Sequence, residues 1–82
     1  MLSLAYRACS LGGLYPACYN AANEVAVAAF LGDTLGFMGI AECTAIVLDH
    51  DWSGGADSLD SILDADRRAR DIARSFIKEC KR

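Results

Sequence analysis

Pro16-Ala17-Cys18-Tyr19-Asn20-Ala21-Ala22-Asn23-Glu24-Val25-Ala26-Val27-Ala28-Ala29-Phe30-Leu31 is the stretch on which the fold turns. It carries a single charged side chain, Glu24, with Asn20 and Asn23 as its other strongly polar groups. At about 100° per residue those three share one face within one turn, and Ala and Val fill nearly all the rest of the circumference. Proline at the start suits the first turn of a helix, where its missing N–H costs nothing, and Gly32 supplies the matching stop. Small side chains at Ala17, Ala21, Ala22, Ala26, Ala28 and Ala29 let neighbouring backbones approach closely. The stretch therefore predicts a central helix over about 16–31.

On the N-terminal side, Leu4, Ala5, Ala8, Cys9 and Leu11 recur at three- and four-residue spacing, which predicts a short helix over 2–11 that ends at Gly12-Gly13. On the other side, Gly36-Phe37-Met38-Gly39 predicts a turn with Phe37 and Met38 pointing inward. A helix over about 39–49 follows, with Ile40, Cys43, Ile46, Val47 and Leu48 apolar. Asp49-His50-Asp51 and Ser53-Gly54-Gly55 read as a polar loop that also holds Trp52. Ser58 or Asp60 can then cap a last helix whose stripe is Leu59, Ile62, Leu63, Ala69, Ile72, Ala73, Phe76 and Ile77, with Asp66 as a candidate cap for a second start inside it. No alternating strand pattern occurs. The expectation is an all-α domain over residues 1–82: three or four helices with short connections, packed as an antiparallel bundle or a closely related array.

Charge is distributed unevenly. Residues 1–40 hold only Arg7, Glu24 and Asp33, and the other 16 charged residues of this 82-residue chain lie beyond them. A helical domain standing alone in water normally keeps a charged face on every outer helix. With 54% hydrophobic residues, the first half has more apolar surface than so small a core needs, so either its helices are a well-covered central pair or they present a docking face. A membrane does not fit that face. The longest uncharged run, Ala8–Asn23, contains Gly12, Gly13, Pro16 and Asn20, whereas a span needs about 20 mainly apolar residues. Met1 to Arg7 lacks the basic region and apolar core of a secretory signal, and the expected setting is the cytoplasm. Nucleic acid is excluded as a partner by the net charge of −3, because Arg67, Arg68, Arg70 and Arg74 alternate with Asp64, Asp66 and Asp71.

Two constellations bear on chemistry. Asn20, Asn23 and Glu24 can bind a ligand or metal, or can bond backbone at adjacent helix ends; buried polar groups usually do the latter, so the three are read as a structural polar network. Asp49-His50-Asp51 sets an imidazole between two carboxylates, yet consecutive loop residues rarely converge on one point and no nucleophile accompanies them. Cys9, Cys18, Cys43 and Cys80 include no Cys-x-x-Cys pair and fall on apolar stripes, which suits buried thiols rather than a metal or redox site. No catalytic, cofactor-binding or metal-ligating residue is assigned.

Tyr19-Asn20-Ala21-Ala22-Asn23-Glu24-Val25-Ala26-Val27 followed by Ala29-Phe30-Leu31 resembles the Asn-Ala-Ala-Asn-Glu helix of the 1-deoxy-D-xylulose 5-phosphate reductoisomerases. Leu4-Ala5-Tyr6 ahead of Gly12-Gly13, Gly36-Phe37 with Ile40, and Ser61-Ile62-Leu63-Asp64-Ala65-Asp66 with Ala69-Arg70 and Ala73 extend the likeness in order along the chain. Cys9, Cys18 and the Asp51–Gly55 loop depart from it. The resemblance implies the small helical C-terminal domain of an enzyme of the non-mevalonate isoprenoid pathway, which makes 2-C-methyl-D-erythritol 4-phosphate with NADPH and Mg2+ or Mn2+. It implies that cofactor, metal and substrate sit on nucleotide-binding and central catalytic domains outside this chain, that the parent is a homodimer, and that a plant or alga would keep it in the plastid. The docking face is then expected on the first two helices. A stand-alone helical interaction module, and an autonomous metal or redox protein resting on the cysteines and the Asp-His-Asp loop, are the competing readings.

Overall fold

The computed structural model describes residues 2–52 and 58–80, and among them the fold is all-α: α1 (Leu2–Leu11), α2 (Tyr15–Leu31), α3 (Phe37–Leu48) and α4 (Leu59–Cys80). The Ser53-Gly54-Gly55 part of the expected loop lies outside the described residues. Gly12 and Gly13 have φ of +67° and +56°, the left-handed backbone that stops α1 and that L side chains adopt only at a cost. Pro16 stands in the first turn of α2 as its sequence requires.

α2 ends at Leu31 as expected, with Gly32 as its C-cap. Gly32 has φ −91°, and the left-handed residue is Asp33 at +64°. Asp33 N–H donates to the Phe30 carbonyl at 3.1 Å and Thr34 N–H to the Ala29 carbonyl at 2.9 Å, the paired bonds of a Schellman stop. Aspartate tolerates this backbone better than most residues, so the chain reverses one residue past the glycine that caps the helix.

α3 begins earlier than expected, and Phe37 and Met38 point outward rather than inward: they are 71% and 76% exposed. The buried positions are Gly39, Ile40, Cys43, Thr44, Val47 and Leu48. Four-residue steps from Met38 lead to Glu42 and Ile46, so all three belong to the outer row. A Cβ on Gly39 would stand 2.5 Å from a Leu35 methyl, so glycine there is what lets Leu35 fold over the helix start. Thr44, buried on α3, donates its hydroxyl to the Ile40 carbonyl at 2.6 Å and leaves no unmet polar atom.

α4 is one continuous helix. Ser58 Oγ accepts the Ser61 N–H at 3.1 Å and caps it, whereas Asp66 does not start a second helix but accepts from Arg70 Nε at 2.8 Å, one turn on. Its buried row is Ala65, Ala69 and Ala73, flanked by Ile62, Ile72, Phe76 and Ile77. Leu59 and Leu63, expected in the stripe, are exposed because their row continues to Arg67 on the outer side.

The helices pack through small residues. Cys18, Ala21, Ala22 and Ala26 of α2 and Ala65, Ala69 and Ala73 of α4 are all buried in one cluster with Cys43, Val47 and Trp52. Contacts rise together along α2 and α4, from Cys18 with Ala65 to Glu24 with Arg70, so these two helices run parallel, not antiparallel. α3 returns between them: Cys43 meets Ala73, while Trp52, just past its end, lies under Arg68. α1 packs on α2 and α3 only. Trp52, placed in the polar loop by its neighbours, is buried; its Nε1 donates to the Val47 carbonyl at 2.7 Å and its N–H to Tyr15 Oη at 3.3 Å.

Candidate docking face and polar network

Glu24 is exposed on α2 and stands between two partners. Asn20 Nδ2 donates to its Oε2 at 3.3 Å, and Arg70 Nη2 of α4 donates to its Oε1 at 2.7 Å while Arg70 Nε holds Asp66. Asn20 thus bonds a side chain one turn along its own helix, and Glu24 reaches across the parallel helix pair to Arg70, rather than bonding backbone at helix ends. The reason is register: Glu24, three residues past buried Ala21 and two past buried Ala22, stands at the rim of the α2–α4 seam, where Arg70 emerges one residue beyond buried Ala69. Arg70, through its hydrogen bond and then its charge, holds the Glu24 carboxyl below its ordinary value of 4.5. Asn23 is half-buried on the same helix, and the network does not extend to it among the described residues.

The other polar constellation does not converge. Asp49 faces Arg7 of α1 at 3.6 Å, and His50 Nδ1 lies 3.1 Å from the Ile46 carbonyl oxygen, which places the ring proton on that nitrogen. Among the described residues no group of three or more His, Cys, Asp or Glu side chains is arranged to hold a metal. Two thiols depart from expectation: Cys9 and Cys80 are exposed. Cys18 and Cys43 are buried as expected, each with Sγ 3.8–3.9 Å from an α4 carbonyl, and burial pushes their thiols up to about 12 and about 11.

Exposed apolar side chains gather in separate places. Tyr6 and Leu11 stand out from α1, whose one charged residue, Arg7, is engaged with Asp49. At the far pole, where α2 ends and α3 begins, Leu31, Phe37 and Met38 are exposed, with Phe30 edge-on to Phe37 at 5.8 Å between centroids. A third pair, Leu59 and Leu63, marks the start of α4. The middle of α2 is covered, so the exposed apolar surface of the first half lies on α1 and at the α2–α3 turn. No described helix is long and apolar enough to cross a membrane.

A family model described as the DXP reductoisomerase C-terminal domain matches residues 1–72 of this ordered four-helix array. The chain belongs to that family. It is similar to the 1-deoxy-D-xylulose 5-phosphate reductoisomerase of Cupriavidus necator, 51% identical over 76 residues that cover 93% of this chain and 19% of the relative. The reductoisomerase of Citrifermentans bemidjiense is 46% identical over 76 residues, 93% of this chain and 20% of the relative. That of Treponema denticola is 42% identical over 73 residues, 89% and 19%. The chain thus spans about one fifth of the length of the curated relatives it matches. Within this reductoisomerase C-terminal fold, Arg70, Arg68 and Trp52 have contacts that reading by segment did not assign to them, and Asp66 holds Arg70 instead of capping a helix. Asp66 and Arg70 are signalled by their four-residue spacing, and a lone carboxylate at Glu24 calls for a cation; nothing local marks Trp52 as core.

Proposed function

We propose that this chain serves as the C-terminal helical part of a 1-deoxy-D-xylulose 5-phosphate reductoisomerase and braces the catalytic part of that enzyme without contributing a reacting group. The observation that carries the reading is α1: a helix with exposed Tyr6 and Leu11 and a single, engaged charge presents a surface that a partner would cover. Among the described residues no carboxylate cluster fits a divalent metal, since Glu24 and Asp66 are spent on Arg70 and Asp49 faces Arg7. NADPH, Mg2+ or Mn2+ and the substrate are therefore assigned to nucleotide-binding and catalytic domains outside these residues. A homodimeric parent, and a cytoplasmic or plastid setting, belong to the same proposal. Similarity over 93% of the chain to reductoisomerases does not favour a stand-alone interaction module.

The test adds this chain in trans to a reductoisomerase truncated before its C-terminal domain and follows NADPH oxidation. Restored turnover is expected, with the Tyr6→Asp, Leu11→Asp variant folded by circular dichroism yet unable to restore it. Full rescue by that variant would overturn α1 as the docking face, and absence of any association would overturn the bracing role.

A further inference from the structure

The apolar surfaces of the domain differ in the charges beside them. The groove at the α2–α3 turn, about 640 Å3 and lined by Phe30, Leu35 and Met38, has Asp33 and Glu42 as its charged groups. Leu59 and Leu63 at the start of α4 are followed by Asp60 and Asp64. On α1 the one cation, Arg7, is engaged with Asp49. A second groove, about 390 Å3 between the parallel helices α2 and α4, has the opposite character: half-buried Val25, Ala29 and Ile77 line it with Thr34, and its charged groups are Arg74 and Lys78. These are the cations of α4 that the fold leaves available. Arg67 is held by Asp64 at 2.6 Å, Arg70 by Asp66 and Glu24 at 2.8 and 2.7 Å, and Arg68 lies over Trp52. Arg74 reaches only exposed Asp71, at 3.8 Å, a pair exchanged at little cost, and Lys78 has no ion-pair partner among the described residues. Cations in the last turns of a helix complement its dipole, which accounts for their sign but not for the apolar channel they flank.

We propose that this groove is a binding site for an amphiphilic anion: an alkyl chain that lies along Val25, Ala29 and Ile77 and ends in a phosphate monoester shared by Arg74 and Lys78. The two cations stand four residues apart, one turn along the same face, where like charges repel each other until an anion sits between them. A phosphate monoester suits both, because it carries nearly two negative charges at neutral pH and accepts the forked guanidinium and the ammonium together. The volume lies at the lower end of small-ligand pockets, whereas a docked helix, about 10 Å across, is too broad for it. An extended anionic surface is disfavoured by the net charge of −3. The acidic neighbours of the other apolar surfaces would repel the same ligand, so its charge selects this groove. α1 takes no part, which keeps Tyr6 and Leu11 free for the docking proposed above.

A methyl-resolved NMR titration of the 82-residue chain with octyl phosphate, kept below its micelle-forming concentration, tests this. The expected result is a saturable shift of the Val25, Ala29 and Ile77 methyl signals with a Kd on the order of 1 mM, weakening with added salt. Octanol and inorganic phosphate, each carrying half of the ligand, should bind at least about tenfold more weakly. The Arg74→Gln, Lys78→Gln variant should lose at least about tenfold in affinity for octyl phosphate while its methyl spectrum stays native, so a loss of fold is read separately. Methyl signals in the groove that never shift would overturn the proposal. So would octanol or inorganic phosphate binding as tightly as octyl phosphate, or shifts that gather at Leu11, Leu59 and Leu63 instead.

Discussion

α2 and α4 lie side by side and parallel, and each gives the seam a row of small residues, yet they are opposite kinds of helix. α4 has one buried row, Ala65, Ala69 and Ala73, with charged residues on most other positions, so its sequence announces which side faces the core. α2 is apolar almost all round and carries one charge, so its sequence says that it is covered without saying by what. α4, α3 and α1 share that covering, and Ala28 and the last turn remain exposed. The lesson is that amphipathicity fixes the orientation of an outer helix, whereas a central helix is oriented by its neighbours.

The largest expected contrast between seam and rim is in thiol chemistry. Cys9 and Cys80 should react with an aromatic disulfide reagent in the folded protein. Cys18 and Cys43, closed into the seam with their thiols pushed up to about 12 and about 11, should react only when the fold opens. A folding free energy of about 5 kcal/mol slows them by nearly four orders of magnitude. Two fast and two slow thiols in a stopped-flow titration check this; four fast ones would mean that the α2–α4 seam is not closed.

Trp52 locks the three long helices at one end, through the Val47 carbonyl, the Tyr15 hydroxyl and the Arg68 guanidinium 4.9 Å above its ring. Trp52→Ala should lower the unfolding free energy by about 3–5 kcal/mol in urea titration, most of the stability of a domain this small. A loss under 1 kcal/mol, in the terms of ordinary surface changes, would place it outside the core.

The close approach of α2 and α4 is probed by adding volume. Ala69→Leu, at a position with 0% exposure, should cost about 1–3 kcal/mol through overpacking, while Ala28→Leu on the open side of α2 should stay within about 0.5 kcal/mol. Equal effects would show that α2 is covered on every side, as its composition alone suggests.

The smallest effect belongs to the exposed bridge between the same two helices. Glu24 has its folded value lowered by Arg70, so its contribution is present above the unfolded value of 4.5 and fades as pH falls through the lower folded value. Urea midpoints measured from neutral to acid pH should therefore converge for the native chain and Glu24→Gln only at the acid end. If the gap between them stays constant below 4.5, the ion pair is not what distinguishes them.

Much of the fold was legible. The extent of α1 followed from Leu4 to Leu11 and the glycine pair, the start of α2 from Pro16, and the cap of α4 from Ser58, because each is a local backbone or spacing signal. The likeness centred on Asn20 to Val27 pointed to the family that residues 1–72 match. The polar residues were legible by type and not by partner. Glu24 needed a cation, and only packing could say that Arg70, 46 residues away, supplies it.

What the sequence determined by itself, then, is what a residue imposes on its own neighbours: the limits of α1 and α2, the cap of α4, and the scarcity of charge before residue 41. Tertiary structure decided the parallel sense of α2 and α4, the burial of Trp52, the outward turn of Phe37 and Met38, and the left-handed backbone at Asp33. Those outcomes depend on which surfaces meet, and when half a chain is apolar on nearly every face, hydrophobicity no longer selects among the ways of burying it. Close packing of small side chains does.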